Sequence, residues 1–171
     1  MSHDSTQLPD ALRARLLSAP LWEFALALYG RDGVEAACLT LQDEAGVDVC
    51  ELLWHCWLYR HGLACEAPPD GVRHWQRDVT APLRRLRRAL KAEARTDEGV
   101  AELRATLQRA ELQAEREALT RLQRLALSGT GIRPLPDPPP DPLELLAARF
   151  HLREASYLIE LKMLISQLDP S

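Results

Sequence analysis

Between Leu21 and Arg60 the chain is too apolar to be anything but the buried core of a helical fold. These forty residues hold three of the four tryptophans (Trp22, Trp54, Trp57), Phe24, and three of the four cysteines (Cys38, Cys50, Cys56). Asp48 offers an N-cap with Glu51 three residues on, the spacing of a capping box. The helix this starts, from Val49 to about His61, is apolar on nearly every side. At about 100° per residue, Val49, Leu52, Leu53, Cys56 and Trp57 cover one side, and Cys50, Trp54 and Leu58 extend it. Only a narrow polar stripe remains, made of Asp48, Glu51, His55 and Tyr59. Such a helix is stable only when neighbours surround it, so the rest of the chain is expected to pack around this one.

The flanking segments read as helices with recognisable stops. Residues 1–8 are polar and expected to fray. Pro9 to Leu17 fits a short helix with Leu12, Leu16 and Leu17 on one face, and Ser18 and Pro20 are placed to start the next, Leu21 to Tyr29. After the Gly30–Gly33 turn, Asp32 and Glu35 have capping-box spacing. Val34, Ala37, Cys38, Leu41 and Ala45 then form a face that Gly46 ends. From Asp70 a helix is expected to about Ala94, interrupted near Pro82, where Thr80 is a candidate cap. Its seam is Val79, Leu83, Leu86 and Leu90. A long helix follows from Glu98 to Leu127, with Thr96–Gly99 as turn and cap. Two long consecutive helices with a short link predict an antiparallel αα-hairpin.

Prolines 134, 136, 138, 139, 140 and 142 mark an extended, semi-rigid linker. Asp141, Pro142 and Glu144 then open a last amphipathic helix. Leu143, Phe150, Tyr157 and Leu164 recur every seventh residue, a stripe suited to docking on the core or to pairing with another chain. No run longer than about four residues shows a strand period. The expected fold is therefore all-α: a compact multi-helix bundle with a long αα-hairpin and a proline-linked C-terminal helix. Its expected parts are a core of residues 1–127, a linker of 128–141 and the last helix in 142–171.

Charge divides the chain. Residues 1–69 carry ten acids and four bases, residues 70–95 eight bases and three acids, and residues 96–171 twelve acids and nine bases. The basic segment contains Arg73, Arg77, Arg84, Arg85, Arg87, Arg88 and Lys91, with His74 and Trp75 upstream. Such a cluster suits phosphates or an acidic protein face. The competing expectation is internal neutralisation, because the next helix offers Glu98, Glu102, Glu111, Glu115 and Glu117. Readout of nucleic acid is disfavoured by the acidic net charge of −4 and by the lack of a helix-turn-helix or zinc module. The polar stripe is the candidate for chemistry. Glu51 and His55, four apart, can touch, and with Tyr59 and Trp54 they could line a pocket; the alternative is capping at Asp48 and Glu51 on the wet edge of a buried helix.

Several function classes find no motif here. There is no G-x-S-x-G, P-loop, H-E-x-x-H or G-x-G-x-x-G, so no catalytic residue is assigned. Cys50, Cys56, Cys65, His55, His61 and His74 lack the paired spacing of zinc ligands, so no metal or cofactor is expected. The cysteines read as buried free thiols, the start lacks a signal-peptide core, and no apolar run is long enough for a membrane span. A cytoplasmic location is the expectation.

Leu21-Trp22-Glu23-Phe24-Ala25, Gly33-Val34-Glu35-Ala36-Ala37-Cys38-Leu39, Leu41-Gln42, Gly46-Val47-Asp48-Val49 and Leu52-Leu53 together resemble a proteobacterial family of small helical proteins of unknown function. Trp75, Pro82-Leu83-Arg84 and Leu86-Arg87-Arg88 fit the same pattern. The resemblance covers roughly residues 20–92. It implies a bacterial cytosolic protein and carries over no catalytic residue. The functional expectation is an interaction or regulatory protein whose Arg-rich helix meets an acidic protein partner. A small-ligand binder or enzyme at Glu51, His55 and Tyr59 is the alternative, and a nucleic-acid binder the third. Homo-oligomerisation through the C-terminal helix is a further expectation.

Overall fold

Helices make up nearly all of the regular structure of this all-helical protein. The computed structural model describes residues 8–168, so residues 1–7 of the start expected to fray lie outside the described part. The chain packs as two units, one made of residues up to Pro68 and from Gln123 onward, the other of Pro69–Leu122.

The first unit holds α1 (Asp10–Ser18), α2 (Leu21–Tyr29), α3 (Val34–Ala45), α4 (Val49–Arg60), α8 (Pro142–Arg149) and α9 (Ala155–Ser166). Asp48 caps α4 as expected, its Oδ1 accepting from the Glu51 N–H at 3.2 Å. Gly46 closes α3 in the left-handed conformation (φ 68°), where a glycine carries no Cβ penalty. Two other expected caps are not made. Ser18 turns its hydroxyl back to the Arg15 carbonyl as the last residue of α1. Asp32 sits one residue too early, because Gly33, at φ 79°, is the residue that enters α3.

α4 is the centre of this unit. Every residue from Cys50 to Leu58 is buried. The Trp57 indole N–H is satisfied by the Ala19 carbonyl at 2.7 Å. α2, α3 and α8 pack against α4, and α9 packs against α3 and α8. Leu161 and Leu164 form the buried side of α9. The carbonyls just past its C-terminal end accept from cations elsewhere in the unit: Arg31 donates to the Gln167 oxygen and Arg60 to the Leu168 oxygen. The single last helix expected from sequence is two helices. They break after Phe150, where His151 takes a positive φ of 54°.

The linker segment also does more than span. Ile132–Pro134 (β2) pairs antiparallel with Leu63–Cys65 (β1), the only sheet among the described residues. Three-residue strands are too short for a period to be read, and the pairing joins segments about seventy positions apart. Pro134 stands opposite Leu63 at an edge, where its missing N–H removes no obligatory bond.

The second unit is the predicted hairpin. α5 (Asp70–Trp75) and α6 (Ala81–Ala89) form its first arm, and α7 (Glu98–Ser128) supplies its second up to Leu122. Between α5 and α6 the arm stays helical through a π-turn, Gln76–Thr80, in which the Ala81 N–H reaches back to the Gln76 carbonyl. A widened turn makes room for the Pro82 ring, which would clash with the carbonyl four residues earlier in a regular α-helix. Because the helix runs on unbroken into α6, Thr80 has no open helix end to cap; its hydroxyl is buried and has no hydrogen-bond partner among the described residues. Asp97 caps α7 by accepting from the Val100 N–H at 3.0 Å.

Candidate functional site

The polar stripe of α4 lies inside the first unit rather than along a wet edge. Glu51 is 3% exposed and His55 6%, while Asp48 and Tyr59 are partly exposed. His55 Nε2 stands 3.8 Å from Glu51 Oε1, an ion-pair distance beyond hydrogen-bond reach. The imidazole is also held by rings: Trp54 is tilted beside it at 5.0 Å and Phe150, just past the end of α8, meets it edge-on at 5.7 Å. The Trp54 indole N–H is buried without a hydrogen-bond partner. Tyr59 donates to the Pro140 carbonyl at 2.9 Å, so it anchors the proline-rich segment, and burial and then the nearby Asp141 push its hydroxyl pKa upward. Sequence reading named the α4 residues of this cluster. It missed Phe150 and Pro140, which reach it from about ninety positions away, and only the seven-residue stripe through Phe150 hinted at a docked helix.

Four buried free thiols accompany this core. Burial, then Glu35, pushes Cys38 up to about 12, and burial, then Cys38, raises Cys56 further still. Such thiols stay protonated and unreactive near neutral pH. Burial also raises Cys65, outweighing its Ala67 hydrogen bond and Arg149.

The basic segment is divided by the hairpin into cations that hold it together and cations that face outward. Arg84 Nε donates to Glu111 Oε1 and its Nη2 to Glu115 Oε1, both at 3.0 Å. Arg87 also clasps Glu111, through Nε to Oε2 and through Nη2 to Oε1 at 3.3 Å. Glu111 is buried. Burial alone would raise its pKa, but the hydrogen bonds from Arg87 and Arg84 outweigh that and hold it below the ordinary glutamate range. These two arginines, expected at a binding surface, are thus committed to the hairpin, as the internal-neutralisation alternative anticipated. Nearer the hairpin's base the Trp75 indole N–H donates to the Ala114 carbonyl at 3.0 Å, and the Arg121 guanidinium lies 4.0 Å over the Trp75 ring.

Of the other cations, Arg77 is exposed and paired with its neighbour Asp78 at 2.7 Å. Arg73, Arg85, Arg88 and Lys91 are exposed. Arg85 and Lys91 have no ion-pair partner among the described residues. Around them the apolar seam is only half covered: Leu86 is 55% exposed and Leu103 52%. No residue from Ala81 to Ala110 is buried.

No described helix is long and apolar enough to cross a membrane. Neither the curated proteins nor the solved structures contain a match to this chain. One family model does match, over residues 20–122, a span that takes in α2 to α4, β1 and the hairpin through Leu122. On that match the chain belongs to the family described as Protein of unknown function (DUF2390).

Proposed function

We propose that the protein is a bacterial, cytoplasmic interaction or regulatory module whose Arg-rich helix meets an acidic protein partner. The observation that carries this reading is the division of the arginines. Arg84 and Arg87 fasten α6 to α7, which fixes the helix. Arg85 and Lys91 remain exposed and have no carboxylate partner among the described residues. Pre-positioned cations steer an acidic partner without ordering the helix at the moment of binding. Pro69–Leu122 carries twelve bases and nine acids, whereas the rest of the chain carries nine bases and sixteen acids. The cations are thus concentrated on the hairpin of an acidic protein. The test is recovery of a partner from native cells with the wild-type chain and with Arg85→Glu/Lys91→Glu. Recovery should be lost while the circular dichroism spectrum and melting temperature stay within error. Undiminished recovery overturns the reading.

A second reading, a small-ligand binder or enzyme at the α4 stripe, is favoured by burial of both Glu51 and His55 beside a Trp54 N–H without a partner. It expects a small molecule to raise the melting temperature of the wild type but not of His55→Gln. No such differential across a metabolite panel removes it. A nucleic-acid reading would use the same hairpin cations and would show as affinity for a short duplex falling steeply with salt.

A further inference from the structure

The inner edge of the hairpin holds one charge that the fold answers and one that it does not. On α7 the side facing the first arm recurs as Val100, Arg104, Leu107, Glu111, Ala114 and Ala118, alternately four and three apart, so these residues share one stripe. All of them are buried or half-buried. Glu111 receives Arg84 and Arg87. Arg104, about two turns nearer the tip, receives nothing: its guanidinium has no ion pair or hydrogen bond among the described residues, and its Nε is shielded from solvent. A donor N–H withdrawn from water without an acceptor is costly, so such a group marks a missing partner. The ion pairs set Arg84 and Arg87 level with Glu111 and Glu115. The next turn towards the tip therefore brings Lys91 near the level of Leu107, and Glu93 near that of Arg104. Lys91 adds a second cation. Glu93 is exposed and makes no ion pair among the described residues.

We infer that Arg104 is the anchor of the hairpin's binding surface, and that its guanidinium takes a carboxylate, an Asp or Glu side chain of the acidic partner, with Lys91 as the neighbouring cation. This rests on the reading that the hairpin meets an acidic protein, and adds the residue at which that protein is held. Exposed Arg85 steers the encounter, whereas a half-buried guanidinium in a fixed seam holds the bound state. Its planar fork and shielded Nε suit a carboxylate, which offers two acceptor oxygens to one guanidinium. A nucleic-acid backbone is the poorer occupant. Glu93, Asp97, Glu98 and Glu102 line the tip with only Arg95 among them. They repel a continuous run of phosphates but leave room for one inserted carboxylate.

The test uses the full chain at low salt and a synthetic peptide of alternating Glu and Ala, with Gln in place of Glu as the control. The Nε–Hε magnetic-resonance signal of Arg104, assigned by its loss in Arg104→Met, should shift with the Glu peptide and not with the Gln peptide. Arg104→Met should bind the Glu peptide at least about tenfold more weakly. It should melt no lower than the wild type, because an apolar side chain replaces an unanswered charge. If Arg104→Met binds as well as the wild type while Arg85→Glu/Lys91→Glu loses the peptide, the inference fails and the reading above survives. A wild type that binds no Glu peptide ends both. A melting temperature well below the wild type shows that the guanidinium serves the hairpin itself and overturns the inference. So does a signal that moves as far on Glu93→Gln alone as on adding peptide. A short DNA duplex that shifts the signal more than the peptide overturns the carboxylate assignment.

Discussion

From Cys50 to Leu58 every residue is buried; from Ala81 to Ala110 none is. Both stretches are helical and both carry leucines at helical spacing, so the difference is not one of local propensity. α4 is surrounded by α2, α3 and α8 within its unit, and its stability comes from apolar surface removed from water. The hairpin of the second unit is two helices deep and is fastened by a few polar contacts: two arginines on Glu111, a further bond from Arg84 to Glu115, and the Trp75 indole on a backbone carbonyl. One region spends its leucines on stability, and the other leaves them available for contact.

That contrast predicts a graded response to mutation. The largest effect is expected at Trp57, which is fully buried and hydrogen-bonded. Trp57→Ala should cost about 3–5 kcal/mol, read by urea denaturation; a cost no greater than that of a hairpin surface variant would erase the contrast. Next comes Glu111→Gln, which leaves Arg84 and Arg87 facing a neutral amide. We expect about 2 kcal/mol, below the range for fully buried pairs because both arginines retain some exposure.

The same residue gives the hairpin an acid sensitivity. The folded-state pKa of Glu111 is lowered, so its stabilising contribution is complete above the ordinary glutamate range and is lost as pH falls through the lowered value. Denaturation midpoints measured from pH 7 downward should fall more steeply for the wild type than for Glu111→Gln. Parallel curves would show that the carboxylate does not hold the arms together.

Smaller effects sharpen the comparison from the other side. Gly33→Ala should cost about 1 kcal/mol, mainly from the left-handed backbone. An added Cβ would also meet the Met163 Cε at 2.8 Å, but that methyl is the end of a flexible side chain. Arg85→Gln should change stability by less than about 0.5 kcal/mol, since the side chain is exposed and has no ion-pair partner among the described residues. A larger loss at Arg85 than at Gly33 would mean that the exposed arginine helps hold the hairpin and is not reserved for a partner.

Much of this was legible in the residues. The Asp48 cap, the Gly46 stop, an irregularity near Pro82 and the long helix from Glu98 all follow from chemistry within a few positions, although the π-turn there, in place of a Thr80 cap, was not legible. The hairpin was legible from two long helices and a short link. The candidate sites were legible only in part. Sequence grouped Glu51 and His55 on one stripe but could not show that these two are buried, because the Phe150 ring that meets His55 comes from the end of α8, 95 positions on. It placed arginines on α6 and glutamates on α7 but could not say which pairs would meet, since antiparallel register decides that.

The amino-acid order by itself determined most of the helices, the Gly46 stop and the identity of the helix at the centre, because caps, glycine conformation and apolar periodicity act over one or two turns. Tertiary structure alone decided three things. The tail from Gln123 onward completes the unit that begins the chain, with the Tyr157 hydroxyl donating to the Glu44 carbonyl 113 positions away in sequence. The last helix breaks at His151. Arg84 and Arg87 are committed to Glu111 while Arg85 is not. Each depends on groups brought together from distant positions, and no short-range rule carries the direction in which a folded chain returns.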